Sequence, residues 1–90
     1  VQLQQLRAFC EVAAQLSFTR AARNLHYAQS SVTAQIQRLE EALGAQLFDR
    51  SCRQIVLTPA GRCLLPYAAQ ILRTADAAQE QVAAAAGTRP

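Results

Sequence analysis

Ser17-Phe18-Thr19-Arg20-Ala21-Ala22-Arg23-Asn24-Leu25-His26-Tyr27-Ala28-Gln29-Ser30-Ser31-Val32-Thr33-Ala34-Gln35-Ile36 is the stretch on which the fold turns. Phe18, Ala21, Ala22 and Leu25 recur at three- and four-residue intervals, which lines them along one side of a short helix. Ser17 stands where its hydroxyl can cap the first free amides of that helix. His26 to Ala28 breaks the period and is short enough for a tight interhelical turn. A second helix follows over 29–43, with Val32, Ile36, Leu39 and Leu43 as its apolar edge and Gly44 as the left-handed cap that ends it. The spacing Ala22-x₂-Leu25-x₆-Val32-x₃-Ile36 has a physical cause. The small Ala22 lets the two helices approach, while Leu25, Val32 and Ile36 fill the wedge that sets their crossing.

Upstream, Leu3, Leu6, Phe9, Cys10, Ala13 and Leu16 give a helix over 3–16 whose apolar stripe faces that pair. Downstream the rhythm changes. Leu47-Phe48-Asp49-Arg50 and Gln54-Ile55-Val56-Leu57 are short β-prone runs separated by Ser51, Cys52 and Arg53, which predicts a hairpin over 47–57 without an Asn-Gly or Asp-Gly turn. Thr58-Pro59 opens a long helix, since threonine caps free amides and proline at the first position has no amide to lose. Leu64, Leu65, Ala68, Ile71, Leu72, Ala75, Ala78 and Val82 form a heptad-like stripe along it, with Pro66 expected to kink it near its start. Ala83 to Pro90 has the composition of a frayed end. The fold class is therefore mainly α: a winged helix-turn-helix over 1–58, then a linker or dimerisation helix and its end over 59–90.

Ninety residues make one small domain, and the 51% of apolar residues lean towards alanine, which favours closely packed helices and leaves little room for an enzyme pocket. No enzyme activity, catalytic residue or cofactor is expected. The formal charge is +3, and all nine basic residues are arginines, which grip phosphates or guanine edges with paired hydrogen bonds. Between Glu11 and Glu40 no acid occurs, yet Arg20, Arg23 and Arg38 do; Arg50, Arg53 and Arg62 form a second group around Asp49. Cys10, Cys52 and Cys63 are odd in number and widely spaced, which argues against a disulfide framework. With His26 they have the donor set of a zinc site but not its close cysteine spacing, so no metal is expected. No apolar run approaches the ~18 residues of a membrane span and no basic-then-apolar leader opens the chain; the expectation is a soluble, cytoplasmic protein.

The side chains left outside the apolar edge of the 29–43 helix point to the function. Gln29, Ser30, Thr33 and Gln37 are uncharged hydrogen-bonding groups of the kind that read base edges in a major groove. Ser31, Gln35 and Arg38 suit phosphate contacts, and the amides at the helix start near Gln29 can hold a phosphate as well. A merely solvated face carries Glu and Lys more often. Arg50 and Arg53, at the tip of the hairpin, can reach the DNA backbone or an adjacent minor groove, the bland alternative being an ordinary charged turn.

Ser17-Phe18-Thr19-x-Ala21-Ala22, Leu25-His26, Gln29-Ser30, Val32-Thr33, Gln35-Ile36, Leu39-Glu40, Leu43-Gly44, Leu47-Phe48-x-Arg50 and Leu57-Thr58-x-Ala60-Gly61 run in order through four elements. Together they resemble the LysR-type transcriptional regulator family over nearly the whole chain. The resemblance implies a winged helix-turn-helix reading double-stranded DNA, a dimerising linker helix and operators built as interrupted palindromes. It also implies a separate effector-binding domain downstream, where a small-molecule effector would act, so that the ninety residues are expected to be a piece cut after the linker. Three positions depart from the family pattern. Ala28 stands where a capping serine or threonine is usual, Ala34 where a basic side chain is frequent, and Tyr27 where a small aliphatic is usual, its ring suited to packing and its hydroxyl to donating outward.

The stripe from Leu64 to Val82 predicts a homodimer through the final helix, and two-fold symmetry then demands a near-palindromic site. Two rival readings stand beside this one: the winged-helix head of a different regulator family, and a protein-interaction module whose alanine-rich helix binds a partner helix.

Overall fold

Gln5, Phe9 and Val12 follow one another at helical intervals and are withdrawn from solvent, so the first helix lays one narrow face against everything that comes after it. The computed structural model describes residues 1–51 and 53–87. In chain order the elements are α1 (Leu3–Gln15), α2 (Phe18–Leu25), α3 (Gln29–Leu43), β1 (Phe48–Asp49), β2 (Val56–Leu57) and α4 (Pro59–Gly87). The fold is mainly α, a three-helix head with a two-stranded wing and a long final helix, as the periodicity predicts. No helix among the described residues is long and apolar enough to cross a membrane.

The core joins all three helices of the head to the wing. Leu6, Ala8, Phe9 and Val12 of α1, Ala21 and Ala22 of α2, and Val32, Ile36 and Leu39 of α3 are buried together with Leu47 and Phe48. The Phe48 ring lies 5.5 Å from that of Phe9 and 5.9 Å, edge-on, from that of Phe18, so the wing is anchored by aromatic packing to both α1 and α2. Gln5 is buried without penalty because its side-chain carbonyl accepts the Gln2 N–H at 3.1 Å, closing the start of α1.

Three residues of the predicted apolar edges are exposed. Leu3 lies on the side of α1 away from Phe9 and Val12, because a helix turns about 100° per residue. Leu16 has φ 49°, a left-handed position that ends α1 and swings its side chain off the buried face. Leu43 is the last residue of α3, and the chain turns away at Gly44 before anything covers it. The hairpin is also shorter than the β-prone runs. Among the described residues only Phe48↔Leu57 and Asp49↔Val56 pair, in antiparallel register. No tight-turn dipeptide holds the strands closer to the tip. Instead the Asp49 carboxylate gathers the Ser51 amide at 2.9 Å and the Ser51 hydroxyl at 2.6 Å, which curls the chain into the loop.

Thr58 joins wing to α4. Its hydroxyl accepts the Gly61 N–H at 3.0 Å, the predicted cap, and donates to the Gln46 carbonyl at 2.6 Å, while its own N–H donates to the Leu47 carbonyl. Gly61 is buried against this junction, where a Cβ would run into the Leu47 carbonyl and a Leu57 methyl, so only glycine fits. The helix runs through Pro66 as a single element.

The predicted stripe on α4 divides in two. Leu64, Leu65, Ala68 and Leu72 turn onto the head, with Ala68 fully buried, and Arg7 of α1 pairs with Asp76 at 3.0 Å. Ile71 is 42% exposed and Val82 68%, and every residue from Asp76 to Gly87 is exposed. Helix rather than a frayed end occupies Ala83–Gly87, since alanine loses no side-chain entropy on becoming helical; Thr88, Arg89 and Pro90 lie outside the described residues. The projecting helix accounts for the elongated outline of 58 × 25 × 19 Å.

Candidate nucleic-acid interface

The turn between α2 and α3 is held by backbone and cap interactions that the local sequence dictates. Ser17 accepts the Arg20 N–H at 3.1 Å and starts α2. At the other end His26 takes φ 60°, its N–H donating to Arg23 and the Tyr27 N–H to Ala22, the paired pattern that closes a helix through a left-handed residue. Gly44 ends α3 in the same way, with the Gly44 and Ala45 N–H groups donating to Glu41 and Glu40. At Ala28, which precedes α3, only the carbonyl takes part, accepting from Ser31 and Val32, so α3 starts without a side-chain cap.

Burying Val32, Ile36 and Leu39 turns the opposite faces of α3 outward. Gln29, Ser30 and Gln37 are exposed and Thr33 is half-buried; Gln29, Thr33 and Gln37 follow at four-residue spacing and so lie one above another on a single face. The structure brings all four predicted base-reading residues to that face. Ser31 and Arg38 are exposed and Gln35 half-buried on the other flank. Ala34 lies between the two sets, a small residue at the centre of the outward surface.

The wing reaches this surface from the far end of α3. Glu40 is buried and its carboxylate accepts the Leu47 N–H at 2.8 Å, tying the approach to β1 directly onto α3. A shallow groove results, lined by Gln37, Glu40, Gln46, Phe48, Arg50 and Ser51, which places a predicted base reader beside a predicted wing contact. Arg50 is not at the wing tip. Its guanidinium lies 4.3 Å above the Phe18 ring at the start of α2, a cation–π seating worth about 0.5–1 kcal/mol at an exposed position that leaves its N–H edges free to donate. Arg53 is exposed in the wing loop. Arg62 donates to the Leu57 carbonyl at 3.0 Å and so braces the wing.

Two further side chains lie beside the turn: Thr19, given no role by the sequence reading, and Tyr27, whose hydroxyl, expected to donate outward, instead accepts from α1. The Thr19 hydroxyl lies 3.0 Å from the Gln29 side-chain oxygen, and Tyr27, 42% exposed, receives a hydrogen bond on its hydroxyl from Gln4 at 3.1 Å. Thr19 stands inside the quoted motif, but nothing in helical spacing reveals a contact across the turn. The cysteines stand apart from the interface. Burial, and secondarily the charge of Glu11, pushes the Cys10 thiol above its ordinary pKa, and Cys63 is exposed on α4; Cys52 lies outside the described residues. Among the described residues no group of three or more His, Cys, Asp or Glu side chains is placed to hold a metal.

Comparison with known proteins agrees with this geometry. The HTH-type transcriptional regulator ShiR of Corynebacterium glutamicum (strain R) is 45% identical over 87 residues, 97% of this chain and 30% of that protein. The Hca operon transcriptional activator HcaR of Escherichia coli (strain K12) is 44% identical over 79 residues, 88% of this chain and 27% of its own length. Among solved structures, the BenM DNA-binding domain in complex with catB site 1 DNA superposes with a TM-score of 0.93 at 37% identity, over 99% of this chain and 100% of that one. The chain spans less than a third of the length of the curated relatives it matches. Residues 3–62 match the model described as bacterial regulatory helix-turn-helix protein, lysR family. With that match running from the first residue of α1 into the first turn of α4, the chain belongs to the lysR family of bacterial regulatory helix-turn-helix proteins.

Proposed function

We propose that this chain is the DNA-reading head of a cytoplasmic transcriptional regulator, binding duplex DNA with α3 in the major groove and the wing on the backbone or the adjacent minor groove. The observation that carries the reading is the continuous uncharged hydrogen-bonding face of Gln29, Ser30, Thr33 and Gln37, exposed except for the half-buried Thr33 and flanked by Arg38 and the wing arginines. In this reading those four residues contact bases, while Ser31, Gln35, Arg38, Arg50 and Arg53 hold phosphates. The likeness to the BenM domain solved on DNA supports the same docking. Two copies join through α4, where Ile71, Ala78 and Val82 stand exposed, so the preferred site is near-palindromic.

Binding measured by fluorescence anisotropy across a salt series tests this directly. If about four phosphates are neutralised per subunit, the log–log slope for a dimer approaches roughly −7, and Arg53→Ala lowers its magnitude by about one per subunit on every sequence alike. A slope near zero would overturn the reading.

A further inference from the structure

We propose that Thr19 sets what Gln29 can read, by holding the carboxamide oxygen of Gln29 so that its NH₂ group alone faces the DNA. The inference rests on the reading of α3 as the base-contacting helix and adds to it a residue on a different helix. Thr19 is the second residue of α2 and Gln29 the first of α3, both exposed, and their side chains meet across the turn, with Oγ1 of Thr19 3.0 Å from Oε1 of Gln29. A carboxamide oxygen only accepts, so the hydroxyl must be the donor. The Gln29 Nε2 makes no hydrogen bond within the described residues, and Gln29 is exposed, so its two N–H groups are available to a ligand.

The consequence follows from the pattern of donors and acceptors in the major groove. A free glutamine favours adenine, pairing its oxygen with the N6 amino group and its nitrogen with N7. A glutamine whose oxygen is turned to a neighbouring hydroxyl offers donors alone. It therefore favours the bases that present a keto oxygen, guanine with O6 and N7 or thymine with O4, over adenine and cytosine, which present an amino donor. The opposite seating of the amide, nitrogen towards Thr19, would present the oxygen and favour the amino bases instead. Specificity at this position is thus decided by a hydroxyl that need not touch the DNA.

The experiment is a selection of bound duplexes from a random pool by the ninety-residue chain and by its Thr19→Val, Thr19→Ser and Gln29→Ala variants. Gln29→Ala identifies the position that Gln29 reads, as the one whose preference it abolishes. At that position the unmodified chain and Thr19→Ser should select guanine or thymine. Thr19→Val, which keeps the shape and loses the hydroxyl, should lower the keto-over-adenine ratio by about fivefold or more. Introduced on top of Gln29→Ala, it should change nothing further at that position. A contribution of Thr19 to folding alone would weaken all sequences equally and leave the ratio unmoved, which would overturn the proposal. So would selection of adenine at the Gln29 position by the unmodified chain. If Gln29→Ala binds DNA with every preference intact, the assignment of Gln29 as a base reader fails and takes this proposal with it; if the unmodified chain binds no DNA, the whole functional reading fails.

Discussion

Helix α3 and the second half of α4 carry similar apolar stripes and meet opposite fates. In α3, Val32, Ile36 and Leu39 are completely buried by α1, α2 and the wing. In α4 the stripe is covered only as far as the head extends, with Ala68 buried and Leu64, Leu65 and Leu72 half-buried; from Asp76 to Gly87 every residue is exposed. A three-to-four-residue period says that a helix has an apolar side, not which surface receives it. The difference separates residues that hold the head together from residues that remain available to a second molecule, and that division can be tested one side chain at a time.

The largest effect belongs to the buried stripe. Ile36→Ala removes three carbons from a site with no solvent access and should destabilise the head by about 2–5 kcal/mol, read as a shift in the urea midpoint. Val82→Ala, on the exposed stripe, should stay within about 0.5 kcal/mol for the monomer. Comparable losses at the two positions would show that the end of α4 packs on its own head in solution.

A finer division lies between neighbours. Leu72 is half-buried against the head and Ile71, next to it, is 42% exposed. Leu72→Gln should therefore cost the head about 1–2 kcal/mol of folding stability. Ile71→Gln should leave melting of the dilute monomer unchanged, yet weaken binding to a full palindromic site far more than to a half-site. Equal full-site and half-site losses for Ile71→Gln would show that this face of α4 does not join two copies.

The smallest effect marks the border itself. Arg7 and Asp76 pair at 3.0 Å between α1 and α4 with side chains 44% and 54% exposed, so solvent screens most of their attraction. A double-mutant cycle with Arg7→Ala and Asp76→Ala should return a coupling of about 0.2–1 kcal/mol that shrinks with added salt. A coupling that survives molar salt would mean that this pair, rather than apolar packing, docks α4 on the head.

Much of this molecule is legible in its sequence. Ser17 and Thr58 cap where their positions before apolar runs predict, because a hydroxyl next to free amides has a local partner wherever the rest of the chain goes. Gly44 stops α3 for an equally local reason, the left-handed backbone that glycine adopts at little cost. The helix-turn-helix spacing, the outward face from Gln29 to Gln37 and the family resemblance are properties of order and period along the chain, which sequence carries completely.

Contacts between elements are another matter. That the Glu40 carboxylate holds the Leu47 amide, that Arg50 seats on Phe18 instead of at the wing tip, and that Thr19 meets the Gln29 oxygen all depend on where separate segments come to rest. The exposed Leu3, Leu16 and Leu43 teach the same lesson from the apolar side. Sequence by itself determined which helices form, where α2 begins and α3 ends, and which chemistry they offer. Tertiary structure alone decided which apolar residues are covered and how polar side chains on different helices are aimed, because burial and hydrogen bonding between distant residues are properties of surfaces brought together, and no period along one strand of chain encodes the position of the other.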